Sequence, residues 1–408
     1  MSFVKQPLAY AIFLSSFCHI AAADDLQTTD NESSYNSIEE VIVTADFRDV
    51  TLQNAPMSAT VLSEDVILER NAQHLEELLA LAPNVNFSSG SSRARFIQIR
   101  GIGERSQFSS PVNPSVGLVI DDVDFTGIGT ASTLYDIEQI EILRGPQGTR
   151  YGANALAGII AMQSKQPTTE TEGHIDAGIG NYNTKTLGTA VGGPLTDDLL
   201  YRIAIQKNTS DGYIDNKFLG NKDTNNFDEL TTRAKLRWLA SDAFTLDTNF
   251  MFIDIDNGYD AFSLDNNRNT LSDQPGHDRQ ETYALSMKAD WTLSSKVSSQ
   301  IIGSISDTDT EYGYDEDWTY TNICSVLSCT GTAYTAFDNY AREIKDKSLE
   351  IRFLSGEDGL LFNESTSWVV GAYFKKQDED FKRTYTFATD LESVYDTQNT
   401  ALFFETNT

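Results

Sequence analysis

Few residues in this 408-residue chain have types and spacings suited to covalent or metal chemistry. The most suggestive stretch is 137–164, IEQIEILRGPQGTRYGANALAGIIAMQS. Ile140 and Ile142 alternate with Glu141 and Leu143 as in a strand, and Gly145-Pro146, Gly148, Gly152 and Gly158 permit sharp reversals. A glycine-rich turn after a strand could cradle a phosphate. That chemistry requires a Lys followed by Ser or Thr at the end of the loop and a helix beyond it, and neither is present. The stretch therefore reads as strand, turn, strand. His74, His174 and His277 lie far apart with no ligand spacing, so no zinc site is expected. Carboxylates are abundant on polar loops, where solvated surface charge explains them. No Ser-His-Asp set emerges. The chain is expected to be no enzyme, with no cofactor and no metal.

Composition narrows the remaining classes. Asp and Glu number 60 against 30 Lys and Arg, a net charge of −30, which argues against nucleic acid as a partner. Hydrophobic residues make up 40% of the chain. Beyond the N-terminus no apolar run approaches the roughly 18 residues of a membrane helix. A β-barrel can still cross a membrane, because its strands are apolar only at alternate positions. The N-terminus reads as a secretory signal over residues 1–23. Lys5 is its basic flank, 7–20 its apolar region and Ala21-Ala22-Ala23 its cleavage site, with Cys18 inside it. Export makes a disulfide permissible, and Cys324 and Cys329 would close a small structural ring.

Residues 24–37 are polar and aperiodic, a flexible tail. Residues 38–45, IEEVIVTA, interrupt it with the β-branched Val41, Ile42 and Val43 behind Glu39 and Glu40. Such a segment could add as a strand to a partner's sheet, or be the first strand of the next domain, and the pattern leaves both open. Strands are then expected at 55–61, 95–100 and 116–120. Ser63 is expected to cap a helix through about Arg70, and Asn71 a second one that ends at Pro83. Together these form a small α+β unit over 46–168.

From Glu172 onward the period changes to two. Tyr201, Ile203 and Ile205 alternate with polar residues, as do Ala234, Leu236 and Trp238, and Leu349, Ile351 and Phe353. Apolar-out, polar-in alternation suits a barrel wall facing lipid, although a soluble sandwich could show it too. Short turns near 193–198, 240–242 and 293–296 alternate with long loops near 208–228, 256–279 and 312–345, the pattern of an outer-membrane barrel. Ten strands are expected over 169–408, against the roughly 22 that close a plugged barrel. The barrel is therefore expected to be incomplete in this chain.

Taken in order, NAPMSATVLS, ALAPNV, IQIRGIG, SVGLVIDDV and IEILRGPQGTRYG resemble the plug domain of TonB-dependent outer-membrane receptors, and residues 38–45 resemble the TonB box. The resemblance implies a membrane β-barrel with an N-terminal α+β plug in its lumen, in the outer membrane of a Gram-negative cell. It implies TonB and its inner-membrane energising complex as partners, held through Glu39, Glu40, Val41, Ile42, Val43, Thr44 and Ala45. The cargo it implies is a bulky scarce ligand, most often a ferric siderophore, otherwise haem, cobalamin or a saccharide. A passive pore or surface-binding barrel without energy coupling is the alternative. In related receptors, plug arginines pair with wall glutamates. Arg100 and Arg144, each ending an apolar strand before a glycine, are accordingly expected to meet Glu350 and Glu405, or else to bond plug backbone. Ligand contacts are expected from Arg105, Gln107 and Phe108 on the plug and from Tyr314, Trp318 and Tyr320 on the longest loop, because aromatics offer rigid amphipathic area.

Overall fold

A computed structural model describes residues 42–44, 47–48, 50–55, 57–89, 91–105, 114–148, 154–325 and 334–408. Ten strands form one antiparallel sheet in strict sequence order. They are Glu172–Ile179, Lys185–Thr196, Leu199–Ser210, Phe227–Ser241, Phe244–Tyr259, Gly276–Ser294, Val297–Asp315, Phe337–Ser355, Ser367–Tyr385 and Leu391–Asn407. The expected count of ten holds, and so do the long connections before Phe227, Gly276 and Phe337. The sheet is part of a barrel wall, with Glu172–Ile179 and Leu391–Asn407 as its outer strands.

Alternation sorts the two faces of this wall. Ile203, Ile205, Leu236, Trp238, Phe250, Tyr283, Met287, Leu349, Ile351 and Phe353 are all exposed on one face. Their strand neighbours Arg202, Arg233, Lys235 and Glu350 are buried on the other. An exposed apolar belt of this extent is stable where the solvent is hydrocarbon.

The second body is the plug. Its sheet runs Ser58–Ser63, Ile137–Arg144, Gly158–Ser164, Val116–Ile120 and Val123–Asp124. Within 137–164 the two expected strands pair antiparallel, from Ile137 against Ser164 to Arg144 against Gly158, with one irregularity between Ile137 and Gln139. Gly158 has φ 154, and a Cβ there would meet the Leu143 carbonyl at 2.3 Å, so only glycine closes this turn. Leu75, Leu78, Leu79, Ile99, Ile120, Ile140, Ile142 and Ile160 form the plug core. One patch of wall, Met251, Ile253, Ile255 and Ala284, packs onto that core.

Both helices depart from expectation at their N-termini. The first spans Glu64–Glu69, and its N-cap Ser63 makes no side-chain cap bond. The second spans only Glu76–Leu79, with Leu75 as N-cap. Asn71 stands at φ 49, outside the conformation an N-cap needs. The Glu77 carboxylate instead accepts from the backbone N–H of Gln73 at 3.3 Å and His74 at 3.1 Å.

Candidate functional site: the plug–wall seam and the chamber above it

Polar bonds cross from the plug to the wall at several levels. On the plug, Arg93 and Arg95 leave a short loop that precedes the strand Phe96–Ile99. The Arg93 guanidinium donates to Glu76 at 2.8 Å within the plug and to Glu229 of the wall at 3.2 Å. Glu229 also receives His74 Nε2 at 2.7 Å and Asn257 Nδ2 at 2.9 Å. Arg95 pairs with Asp278, which also accepts from the Ser92 N–H at 2.9 Å and hydroxyl at 2.7 Å. Arg93 is 1% exposed, so this cluster is dry and its charges persist only because they are matched.

Elsewhere the polarity reverses, and wall cations hold plug carboxylates and carbonyls. Arg202 grips Asp136 with two bonds, at 2.7 and 2.6 Å. Arg202 pairs in register with Lys235 on the next strand. Lys235 reaches Asp121 at 3.0 Å and the Ser164 carbonyl at 2.7 Å. Arg233 donates to the carbonyls of Tyr135 at 2.7 Å and Thr133 at 2.9 Å. Lys375 reaches Asp124 at 2.5 Å. Burial opposes ionisation of Glu76, Asp121 and Asp124, and the cations Arg93, Lys235 and Lys375 more than offset it. All three carboxyls therefore titrate below their ordinary range.

Arg144, singled out from the sequence, follows the second expectation and bonds the plug itself. Arg144 donates to Ser58 Oγ at 3.0 Å, the Pro83 carbonyl at 3.2 Å and the Ala59 carbonyl at 3.2 Å, all within the plug. The cause is register: Arg144 sits opposite Ser58, at the end of a strand whose carbonyls it covers. Burial and the neighbouring Arg100 lower its pKa. The Arg100 backbone N–H bonds the Asn84 carbonyl at 2.8 Å from a left-handed turn, φ 54. Glu350 accepts from Arg352 on its own strand at 3.2 Å. Glu405 lies beside Arg48, which donates to the Ser355 carbonyl at 2.8 Å. Among the described residues, the plug–wall bonds of Arg93, Arg95, Arg202, Arg233, Lys235 and Lys375 fall on residues that sequence reasoning did not select. Strand parity marked Arg233 and Lys235 as inward-facing, but nothing local told which plug groups they would meet.

Of the segment 38–45, only Ile42, Val43 and Thr44 are described; Glu39, Glu40, Val41 and Ala45 lie outside the described residues. Ile42 and Val43 pair antiparallel with Thr51 and Val50. Val43 is fully buried against Leu143 and Ile159. The Thr44 N–H bonds Glu141 at 2.8 Å, and Gln139 donates to the Ile42 carbonyl at 3.0 Å. This part of the segment is docked on the plug rather than free. Just beyond it, Phe47 stacks on Phe403 of the wall with ring centroids 5.1 Å apart.

A chamber opens between plug and wall, lined by Arg95, Phe96 and Glu104 of the plug and Tyr312, Tyr340, Arg342, Glu379 and Tyr395 of the wall. Arg342 and Glu379, on neighbouring strands of its wall, pair at 2.8 Å. Of the expected contact residues that the structure describes, Arg105, Tyr314, Trp318 and Tyr320 are not part of its lining. The Arg105 carbonyl accepts from Ser88 Oγ at 3.0 Å. The Tyr314 ring stacks on Tyr312 at 5.7 Å, Trp318 on Phe262 at 4.8 Å and Tyr320 on Phe218 at 4.3 Å. Gln107, Phe108 and Cys329 lie outside the described residues, so the ring through Cys324 does too.

Comparison with known proteins places this geometry. Residues 51–159 match the family model of the TonB-dependent Receptor Plug Domain. The pesticin receptor of Yersinia pestis is 30% identical over 188 residues, 46% of this chain and 28% of that protein. The ferric enterobactin receptor of Pseudomonas aeruginosa is 26% identical over 302 residues, 65% of this chain and 40% of that protein. The chain thus spans less than half the length of these curated relatives. Among solved structures, the ferric yersiniabactin uptake receptor of Yersinia pestis superposes with a TM-score of 0.67 at 18% identity, over 86% of this chain and 61% of that one. The ferripyoverdine receptor of Pseudomonas aeruginosa does so with a TM-score of 0.68 at 17% identity, over 90% and 51%. The plug, the wall around it and these matches agree: residues 51–159 are a TonB-dependent receptor plug domain, and the chain as a whole has the fold of the plug and part of the barrel of the outer-membrane receptors it resembles.

Proposed function

We propose that the receptor containing this chain takes up a ferric siderophore across the outer membrane, driven by TonB through residues 38–45. The observation that carries the reading is the way the plug is held. A folded plug with its own apolar core is fixed to the wall largely by ion pairs and hydrogen bonds, with the tail docked on its strands 137–144 and 158–164. Bonds of this kind can be exchanged for water one at a time, so a pull on the tail can shift the plug without unmaking its core. The aromatic chamber at Tyr312, Tyr340 and Tyr395 supplies contact area for a bulky ligand above it. The relatives support the cargo class by what they bind, iron complexes in several cases.

Deletion of residues 38–45 from the full-length receptor separates this reading from a passive pore. Uptake of radiolabelled ferric siderophore should fall to the level of cells without TonB, while binding to whole cells is unchanged. Uptake that survives the deletion would overturn energy coupling.

A further inference from the structure

The chamber between plug and wall is lined in part by a residue whose hydrogen bonding is incomplete. Asn154 of the plug is 9% exposed, and its Oδ1 is buried with no hydrogen-bond partner. The other end of the amide is accounted for. Nδ2 faces Asp124 Oδ2 at 3.5 Å, and a carboxylate accepts without donating, which orients the amide with Oδ1 as its unmatched end. Asp124 is itself held by Lys375 at 2.5 Å and by the Thr126 N–H at 2.8 Å.

The backbone around Asn154 is seated against the plug sheet. The Gln147 N–H bonds the Ala155 carbonyl at 2.8 Å, and the Ala157 N–H bonds the Ser115 carbonyl at 2.8 Å. Gly117, on the strand Val116–Ile120, lies so close that a Cβ there would meet the Asn154 carbonyl at 2.9 Å. Buried polar atoms are nearly always paired, and the chamber is where a partner for Oδ1 can enter. Water can supply the bond while the chamber holds no ligand. A ligand that displaces the water must return the bond or leave the oxygen bare.

The charges of the lining decide what kind of molecule can bring that donor. Its cations are Arg95 and Arg342, and both are committed, to Asp278 and to Glu379. Glu104 accepts from the Ser115 N–H at 3.0 Å. The other lining residues are uncharged and include the rings of Phe96, Tyr312, Tyr340 and Tyr395. Every cation of the lining is matched by a carboxylate, so an anionic ligand gains no electrostatic complement here. We propose that Asn154 selects the cargo, its Oδ1 accepting from an amide N–H or hydroxyl of an uncharged iron complex; this rests on the ferric siderophore reading above. Ferric trihydroxamates are of that class, because three singly charged hydroxamates neutralise one ferric ion. Ferric tricatecholates are not, because three doubly charged catecholates leave the complex anionic.

The test titrates the full-length receptor in detergent with three iron complexes. They are ferrioxamine E (an uncharged cyclic ferric trihydroxamate with amide N–H groups), its amide-N-methylated analogue, and anionic ferric enterobactin. Wild type should bind ferrioxamine E about tenfold more tightly than either of the others, the usual cost of leaving a buried acceptor bare. Asn154→Ala should lose about tenfold toward ferrioxamine E and no longer distinguish it from the methylated analogue. The comparison of ligands on wild type keeps the test valid if the variant fails to fold. Equal wild-type affinity for ferrioxamine E and its methylated analogue, tighter binding of ferric enterobactin, or an unchanged affinity in Asn154→Ala would overturn the inference. Iron uptake by cells carrying the receptor separates it from the reading on which it rests. Binding and uptake of none of the three complexes would remove that reading and this inference with it, whereas uptake that Asn154→Ala leaves unaltered would remove this inference alone.

Discussion

The plug interior and the seam around it are held by opposite means. Inside, Leu78, Ile99, Ile120, Ile140, Ile142 and Ile160 are essentially without exposure, and apolar burial does the work. At the seam, Arg202, Lys235, Arg93 and Lys375 carry charge into equally buried positions and meet carboxylates there. Apolar packing gives a body that survives being moved. Paired charge gives a fit that is specific to one position and can be replaced by water when that position is left. The apolar patch at Met251, Ile253, Ile255 and Ala284 is the exception, and it marks the side on which the plug should cling longest.

The largest expected effect comes from breaking the seam on one side only. Glu229→Ala leaves the Arg93 guanidinium, which is 1% exposed, with Glu76 as its one carboxylate partner and takes the wall partner from His74. It should cost on the order of 3 kcal/mol of seam stability, read as loss of plug protection from protease in the intact receptor. Replacing both members of a pair sharpens the point. Arg202→Met with Asp136→Leu should be milder than Arg202→Met alone, because no unmatched charge stays buried. A double variant as damaged as the single one would mean that the pair itself, not the orphaned charge, carries the stability.

Next in size is the core. Leu78→Ala should cost about 2–5 kcal/mol in denaturant unfolding of the plug while the bonds of Arg202 and Lys235 to it persist below the transition. Acid should act on the other layer. Asp121 and Asp124 have depressed folded pKa values, so their stabilisation is complete above the unfolded carboxylate value near about 4. It is lost as pH falls below that value, through the folded pKa. The seam should therefore loosen in acid before the plug core melts, as followed by hydrogen exchange. The smallest effect is expected at Arg144. Arg144→Ala removes bonds within the plug to Ser58, Ala59 and Pro83, at about 1 kcal/mol of plug stability, and leaves the seam unchanged. Release of the plug from the wall by that substitution would restore a latching role for this arginine.

The same contrast explains what could be read from the sequence. The ten wall strands and their outward aliphatic faces are local patterns of period two, the two strands within 137–164 are short apolar runs flanked by glycine, and the structure realises both. The second helix is shorter than its apolar spacing suggests: Leu75 and Ala82 lie outside the four residues that form it, and Glu77 supplies the capping that Asn71 cannot. The seam was not legible. Lys235 and Asp121, or Lys375 and Asp124, are far apart in the chain, and parity tells that a residue faces inward but not which plug group stands at its height. Arg144 shows the same limit from the plug side: an arginine ending a strand can reach outward or fold back, and only register decides.

The central claim is that the seam, not the plug core, is the layer that yields. Hydrogen exchange on the full-length receptor at rising salt and falling pH tests it directly. Amides at 91–96 and 121–136, beside Glu229, Asp278, Lys235 and Arg202, should lose protection while strands Ile137–Arg144 and Gly158–Ser164 keep theirs. Loss of protection in both layers together, or in the core strands first, would contradict the account.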